Sequence, residues 1–284
     1  MPINQLVNFC HLSTDKNGKC AICNHDCQNS CNICLQDCHF GNTREYDCPN
    51  MIYCYTCSYI YKYASEIGHI FNILQYNTFT EFRMLNLGCG SCADLFGINN
   101  FLTQRNRQIP ISYTGIDMNP RWVATQNQII QIFPDYNIRF ILSDVFDYLN
   151  ELNEEDDINF NIVILQYIIN ELYKHCHDRI NEFITLFVNR IIDKMPNNST
   201  IIINDINIDY IRNISARIFT EASERNIVSN SGYRFRNPLS HTYGGHMHPF
   251  DNIVFGVPQN IIDNYDVKNP CSSAQLVIYK TRNK

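Results

Sequence analysis

The sequence of 284 residues contains no apolar run that approaches the ~18 consecutive residues of a membrane-spanning helix. Its N-terminus, Met1–Leu6, also lacks the charged start, the apolar stretch and the small-residue cleavage site of a secretory signal. We therefore expect a cytoplasmic protein that does not contact a membrane. Hydrophobic residues make up 45% of the chain, an ordinary content with which a chain of this length can bury a full core.

The chain also lacks the excess of basic residues that is typical of nucleic-acid-binding proteins. Its formal net charge is −6, from 22 lysines and arginines against 28 aspartates and glutamates. Residues 1–63 carry one more acidic than basic side chain, so this segment is not a basic clamp on phosphate. Residues 207–250 carry two more basic than acidic side chains. This excess permits a local basic face but not an extended basic surface along a nucleic-acid backbone.

A third glycine, which a dinucleotide-binding turn needs, is missing as well. The turn Gly88–Gly90 follows the short apolar run Met84–Leu87, and Ala93 stands where that third glycine is expected. The acid expected about twenty residues further on is also absent, since Asp117 lies well beyond that distance. A tight glycine turn still lets backbone N–H groups approach a ligand, and an acid that ends the next strand-like run, Tyr113–Asp117, can accept both hydroxyls of a ribose. The pattern therefore indicates a nucleoside-containing cofactor other than a dinucleotide, at the ends of a parallel sheet.

Four segments between Met84 and Asp205 resemble, in the same order, the motifs of class I S-adenosylmethionine (SAM)-dependent methyltransferases. They are Met84–Gly90, Tyr113–Asp117, Phe140–Val145 and Phe160–Leu172. The resemblance implies an α/β fold with a doubly wound, seven-stranded and mostly parallel sheet. It also implies SAM as the cofactor and methyl transfer as the activity.

The same resemblance implies which residues hold SAM. In that family the acid after strand two, here Asp117, binds the adenosine ribose, and the acid after strand three, here Asp144, lies near the adenine. The implied cofactor-binding positions of this chain are Gly88, Cys89, Gly90, Asp117, Met118, Asp144, Val145 and Gln166.

Two positions depart from the family pattern. The family often has an acid two residues before the first glycine and a third glycine two residues after the second, where this chain has Asn86 and Cys92. Asn86 cannot supply the negative charge that helps to orient the ammonium group of SAM, and Cys92 carries a Cβ where the backbone approaches the ligand. Two interpretations follow: a slightly shifted loop that still binds SAM, or a structural homologue that no longer catalyses.

Residues after the fourth strand face the methyl group in this family, which makes Tyr167, Asn170 and Glu171 the candidate catalytic residues. Glu171 can accept the proton of the nucleophile, and Tyr167 or Asn170 can orient an amine or the edge of a base. The alternative is that Asn170 and Glu171 only begin a helix, where an early acid suits the helix dipole.

Cysteines are concentrated at the start of the chain, with ten of the 14 before residue 58. Two Cys-x2-Cys-x3-Cys groups begin at Cys20 and Cys31, and a further Cys-x2-Cys pair begins at Cys54. Without a signal peptide, such pairs indicate metal binding rather than disulfides, and tetrahedral Zn²⁺ needs two of them. We predict two or three zinc ions, with ligands among Cys10, Cys20, Cys23, Cys27, Cys31, Cys34, Cys38, Cys48, Cys54 and Cys57.

An iron–sulfur cluster is the alternative to zinc. Cys27, Cys31 and Cys34 have the spacing by which radical SAM enzymes hold a [4Fe–4S] cluster, but the strand that precedes it in those enzymes is missing here. A segment this short and this poor in large apolar residues needs a metal staple to fold, which indicates a structural metal. We predict a cysteine-rich metal-binding module over residues 1–57 and a methyltransferase domain over residues 58–284.

Periodicity and turn residues predict the remaining elements. A tyrosine-rich helix is expected from Cys57 to Gln75, and its tyrosines serve either as core or as a surface on which bases stack. Asn119 is a candidate cap for a helix over Arg121–Ile132. Two apolar runs, Ile253–Val257 and Gln275–Tyr279, are expected to form the closing antiparallel strands.

Between the last helix and these runs lies Tyr233–Phe250, a candidate substrate loop that combines arginines, aromatic rings and glycines. It also contains His241, His246 and His248, whose spacing matches no firm metal-ligand pattern. An ordinary surface loop is the alternative.

The methyl acceptor is open among three hypotheses. RNA (or DNA) is slightly favoured, because zinc modules precede this fold in rRNA methyltransferases. The acidic net charge favours a protein or a small molecule instead. The third hypothesis, suggested by Asn86 and Cys92, is a non-catalytic assembly module.

Overall fold

The computed structural model describes residues 1–15, 20, 31–36, 38, 46–72, 74, 79–152, 158–225, 228–235, 246–247 and 252–280, of which 228–235, 246–247 and residue 32 are described by their backbone only. Among the helices of these residues, none is both long enough and apolar enough to cross a membrane.

A mostly parallel sheet of six long strands forms the centre of the protein. Its strands are β1 (Phe82–Leu87), β2 (Ile111–Asp117), β3 (Asn137–Leu142), β4 (Ile162–Gln166), β5 (Thr200–Asp205) and, after two further strands in the sequence, β8 (Ala274–Lys280). The spatial order is β3-β2-β1-β4-β5-β8, with every pairing parallel except that of β5 with β8. The order reverses between β1 and β4, which is where ligands bind in open α/β sheets.

The sheet continues beyond β8 through β6 (Val228–Phe235), which is antiparallel to β8, and the two-residue β7 (His246–Met247). The predicted α/β class and mostly parallel sheet are confirmed, but the count of seven strands is not, since these two strands extend the six. The prediction of a strand at 253–257 is wrong, because these residues have no strand pairing. Their place beside β8 is taken by β6, whose sequence is too polar for its hydrophobic pattern to have shown it.

Helices cover both faces of the sheet, as alternating strands and helices require. One face packs against α1 (Pro2–Ser13), α2 (Cys31–Gln36), α3 (Pro49–Phe71), α4 (Ala93–Gln104), α5 (Val123–Ile132) and α10 (Gln259–Asn264). The other packs against α6 (Val145–Glu151), α7 (Ile168–His175), α8 (Ile180–Leu186) and α9 (Asp209–Glu224). Successive residues of β1 alternate between the two, with Met84 in the first core and Leu85 in the second.

The tyrosine-rich helix, predicted from Cys57 to Gln75, is α3, and it begins earlier in the chain than predicted. It starts at Pro49, where the fixed φ of proline suits the first helical position, and it ends at Phe71. The helix is continuous across residues 57 and 58, the predicted domain boundary, which stays a prediction. Its contact with α4 is close: a Cβ added to Gly97 would lie 2.2 Å from the carbonyl oxygen of Ala64.

The predicted cap at Asn119 is confirmed. Its side-chain oxygen accepts a hydrogen bond from the backbone N–H of Arg121 at 2.9 Å. The chain then runs through a short 3-10 turn, Pro120–Trp122, into α5. This cap fixes the path of the backbone directly after Asp117.

Candidate functional site

The glycine turn after β1 has a backbone that side chains would disturb. Gly88 and Gly90 have φ angles of 73° and 46°, in the left-handed region. A Cβ on Gly88 would lie 2.7 Å from Cδ1 of Ile168, which excludes any side chain there without a shift. The N–H groups of Gly88 and Cys89 donate to the carbonyl oxygen of Ile116 at 2.8 and 2.9 Å, which ties the turn to the end of β2.

Cys92, the position that departs from the family pattern, also has a left-handed backbone, with a φ of 52°. Its side chain is fully buried, and its thiol lies 3.9 Å from the carbonyl oxygen of Gly90. The extra Cβ therefore lies in the protein interior, not on the open side of the turn.

Asp117 connects the glycine turn to the start of the next helix. One carboxylate oxygen accepts from the N–H of Gly90 and the other from the N–H of Asn119, both at 2.9 Å. Burial raises the pKa of Asp117 to about 6, while these two hydrogen bonds oppose the rise. Each oxygen keeps lone-pair capacity, so the carboxylate can still accept two hydroxyl groups.

Asp144 and Met118 follow the neighbouring parallel strands β3 and β2, respectively. Asp144 caps α6 by accepting from the N–H of Phe146 at 2.8 Å, and Val145 beside it is buried. Met118 follows Asp117 directly and is 66% exposed, so an apolar thioether lies next to the carboxylate. An exposed methionine at this point can pack against a flat ring such as a purine.

Tyr167, directly after β4, is held from three sides. Its backbone is left-handed, with a φ of 59°, and its N–H donates to the carbonyl oxygen of Asn204 at 2.9 Å. Its ring stacks on Tyr63 of α3, with 4.0 Å between centroids. Its hydroxyl donates to Glu66 at 2.9 Å, and burial followed by the charge of Glu66 raises the pKa of Tyr167 well above its usual range. The hydroxyl therefore stays protonated.

Gln166 lies at the end of β4 and is nearly buried. Its side-chain amide donates to the carbonyl oxygen of Tyr63 at 3.0 Å, a second link between this strand end and α3.

Asn170 and Glu171 lie in the first turn of α7, beside Asp205 at the end of β5. One oxygen of Asp205 accepts from the N–H groups of Ile169 and Asn170 at 2.9 and 3.3 Å, so Asp205 caps α7. The amide nitrogen of Asn170 donates to Glu171 at 3.2 Å, and its amide oxygen is buried without a hydrogen-bond partner among the described residues. Burial, opposed by the cap bonds, raises the pKa of Asp205 to about 7. Asn170 and Glu171 therefore begin a helix, as one interpretation of the sequence expected, and their catalytic role stays a prediction.

Aromatic rings surround this region, and we call Tyr46, Tyr55, Tyr59, Tyr63 and Trp122 the tyrosine wall. Within it, Tyr55 and Tyr59 stack at 5.0 Å between centroids, and Tyr55 lies edge-on to Tyr46 and Trp122 at 5.4 and 5.8 Å. The wall reaches both ends of the site. Burial raises the pKa of Tyr46 and Tyr55, and the charge of Glu171 adds to the rise at both. The side-chain amide of Asn119 donates to the carbonyl oxygen of Tyr46 at 2.8 Å.

The predicted cofactor-binding and catalytic residues therefore lie at or just beyond the carboxyl ends of the four neighbouring parallel strands β1, β2, β3 and β4. Three buried acids that the sequence analysis did not assign to the site lie around them. They are Glu66 in α3, Asp94 in α4 and Asp205 at the end of β5. Only Asp205 had a sequence signal, its position at the end of a predicted strand.

The predicted metal ligands are placed only in part. Cys23 and Cys27 lie outside the described residues, as do the side chains of His241, His246 and His248. Of the others, Cys10 lies in α1, Cys31 and Cys34 in α2, and Cys54 and Cys57 in α3, with Cys48 directly before α3. The thiols of Cys20 and Cys48 lie 3.7 Å apart. Within the part of the chain that the structure describes, three or more metal-ligating side chains do not come together.

Comparison with known proteins gave one family match. The family model described as a methyltransferase domain matches residues 79–231. No curated protein matches the chain.

Solved structures with a similar fold were also found. The plantazolicin methyltransferase BpumL, in complex with S-adenosylhomocysteine (SAH), is 13% identical, with 99% of this chain and 98% of that chain covered and a TM-score of 0.46. The N-methyltransferase NodS from Bradyrhizobium japonicum is 9% identical, with 78% and 88% covered and a TM-score of 0.45. An rRNA methylase from Streptococcus thermophilus is 10% identical, with 77% and 94% covered and a TM-score of 0.42.

Proposed function

The chain belongs to the methyltransferase domain family, and we propose that, as a SAM-dependent methyltransferase, it transfers the methyl group to the nitrogen of an amine on a peptide or small molecule. The observation that carries the cofactor site is the carboxylate of Asp117. It is fixed by the N–H groups of Gly90 and Asn119 in front of the left-handed glycine turn.

The residues present fit the groups of SAM. Asp117 retains acceptor capacity for the two ribose hydroxyls, and the exposed Met118 offers an apolar surface to the adenine ring. Asp144 uses one oxygen as a helix cap and keeps the other for the exocyclic amine of the adenine. Gly88, Cys89, Gly90, Val145 and Gln166 complete the cofactor-binding set as proposals.

When bound, SAM supplies an electrophilic methyl group on a sulfonium. The task of the protein is then to hold the acceptor in line, about 3 Å from the methyl carbon, and to take up the proton that the acceptor releases. Tyr167 and Asn170 are proposed to orient the acceptor through their oxygens. Glu171, whose side chain is 35% exposed, is proposed to receive the proton and pass it to solvent.

Charge and aromatic rings together support an amine as the acceptor. Glu171 and Asp117 bring negative charge to the tyrosine wall, since the charge of Glu171 affects Tyr46 and Tyr55 and that of Asp117 affects Tyr55. Acidic groups beside aromatic faces attract cations, because the faces of the rings are themselves electronegative. The amide oxygen of Asn170, which has no hydrogen-bond partner within the described part of the chain, adds an acceptor for an N–H group.

RNA, which the sequence slightly favoured, is the second candidate. The observation in its favour is the same wall, since tyrosine rings also stack on bases. The net charge of −6 opposes a polyanion at this site.

Transfer of labelled methyl from SAM distinguishes the two candidates. The protein is incubated with a set of peptide and small-molecule amines and, separately, with total RNA. We expect label in the amines, loss of that label in Glu171→Gln, and full activity in the control Glu182→Gln, whose carboxylate lies in an exposed ion pair with Arg179. Label in RNA alone, retained at low salt and lost at high salt, would replace the amine with a base as the acceptor.

Zinc in the N-terminal segment remains a proposal. Two thiolates bound to one tetrahedral Zn²⁺ with bonds of about 2.3 Å lie about 3.8 Å apart. The 3.7 Å between Cys20 and Cys48 fits such a pair, which is half of a structural site. We expect elemental analysis of the purified protein to find two or three zinc ions per chain, and Cys48→Ser to lower that number. Iron at the same stoichiometry would favour the cluster instead.

A further inference from the structure

The first strand presents an amide where the family presents an acid. Asn86 lies two residues before Gly88 and is 1% exposed. Its side chain packs on the same face of the sheet as Met84, beneath the glycine turn and toward α4. An acid at this position helps to orient the ammonium group of SAM. With Asn86 in its place, strand β1 supplies no negative charge to the ammonium group.

A carboxylate from another element lies at the same place. Asp94, in the first turn of α4, is fully buried. Its Oδ1 accepts from the hydroxyl of Tyr113 at 3.1 Å. Burial raises the pKa of Asp94 to about 6, while the neighbouring side chains of Asn86 and Tyr113 oppose the rise, so the group carries charge at neutral pH.

The two side chains leave acceptor oxygens unused. Oδ2 of Asp94 and Oδ1 of Asn86 are both buried, and neither has a hydrogen-bond partner among the described residues. A buried acceptor without a donor is costly, so such atoms usually have a partner that the protein itself does not supply. An ammonium group carries a positive charge and three donors, which matches this pair.

Asp94 also lies close enough to the glycine turn to act on it. Burial first, and then Cys92, Asp117 and Asp94 in that order, raises the pKa of the Cys89 thiol. The charge of Asp94 is therefore felt at the turn itself, in an interior where charges are weakly screened.

We propose that Asp94, held in place by Asn86, supplies the negative charge that attracts the ammonium group of SAM, in place of the missing acid of strand one. The inference rests on the proposed function, namely that the chain binds SAM. It assigns Asp94 as a binding determinant for the methionine part of the cofactor and Asn86 as its positioning residue.

Calorimetric titration with SAH and with methylthioadenosine tests this inference, because methylthioadenosine keeps the adenosine but lacks the ammonium group. In Asp94→Asn we expect the affinity for SAH to fall at least tenfold and that for methylthioadenosine to stay within twofold of the wild type. In the double variant Asn86→Asp/Asp94→Asn, which moves the charge back to the strand, we expect SAH affinity to recover. Equal SAH affinity in the wild type and Asp94→Asn would overturn the inference.

A second measurement avoids the variants, in case Asp94→Asn does not fold. The wild type is titrated with SAH and with an SAH analogue that lacks only the amino group, and we expect at least tenfold weaker binding of the analogue. Equal affinities would also overturn the inference. Failure of the wild type to bind SAH or methylthioadenosine at all would instead count against the proposed function.

Discussion

The hydroxyl of Tyr167 donates a hydrogen bond of 2.9 Å to the carboxylate of Glu66, which joins the end of β4 to the middle of α3. Glu66 is fully buried and also accepts from the side chain of Asn204 and from the N–H groups of Ser272 and Ser273. A helix that precedes the sheet in sequence thereby fixes a candidate catalytic side chain. Because Tyr167 donates this hydrogen bond, the lone pairs of its hydroxyl oxygen stay available to the methyl acceptor.

We expect Tyr167→Phe to separate acceptor positioning from cofactor binding. The variant removes one hydrogen-bond donor from the buried carboxylate of Glu66, which should lower the free energy of unfolding by about 2 kcal/mol. SAH affinity should stay within twofold, while methyl transfer should slow at least tenfold. Denaturant unfolding, calorimetry and a labelled-methyl assay measure the three effects. The control is Tyr210→Phe, at a tyrosine that is 38% exposed, and unchanged transfer in Tyr167→Phe would remove Tyr167 from the site.

Gly97→Ala should destabilise the contact between α3 and α4. The new Cβ would lie 2.2 Å from the carbonyl oxygen of Ala64, which is backbone and cannot move aside alone. Overpacking of this kind costs about 1 to 3 kcal/mol, which denaturant unfolding measures. Gly256→Ala is the matched control, because a Cβ there has no atom within 4 Å. Equal stability of the two variants would contradict the packing described between these helices.

Buried carboxyl groups should make stability fall as pH rises. Burial raises the pKa of Asp94 from 3.8 to about 6, so between these values the folded protein binds more protons than the unfolded chain. Stability contributed by protonated Asp94 is therefore present at low pH and is lost as pH rises through 6. Between about pH 5 and about pH 7.5, Asp94→Asn should reduce this loss by about 1 kcal/mol, as measured by urea unfolding at the two values. The same pH dependence in the variant and the wild type would show that Asp94 is not protonated in this range.

Asp117→Ala should abolish binding of SAM and SAH. The variant removes the proposed acceptor of the ribose hydroxyls and also releases the N–H groups of Gly90 and Asn119. The control is Asp135→Ala, at an exposed acid in the turn before β3, where affinity should not change. Unchanged affinity in Asp117→Ala would refute the assigned cofactor site.

Local features of the fold could be predicted from the sequence. The glycine turn, the strand that ends at Asp117 and the cap at Asn119 depend on a few adjacent residues whose backbone preferences are strong. The strand pairing at the far edge of the sheet was harder to predict from the sequence, because the apolar run 253–257 forms no strand. The strand that lies beside β8 instead, Val228–Phe235, is largely polar.

The site could be predicted only where its residues follow strand ends. Asp117, Tyr167 and Asp144 have that position in the sequence itself. Glu66 does not, since nothing in a tyrosine-rich helix marks one glutamate as the acceptor of four hydrogen bonds from three distant segments. Asp94 could not be assigned from the sequence either, because its proposed role depends on its neighbours Asn86 and Tyr113, which lie on two adjacent strands.

The most direct test of the central claim is calorimetric titration of the metal-replete wild type with SAM and SAH. The account predicts binding of both with micromolar affinity, about −8 kcal/mol, and one site per chain. Absence of binding for both would contradict the cofactor site built on Asp117 and the glycine turn.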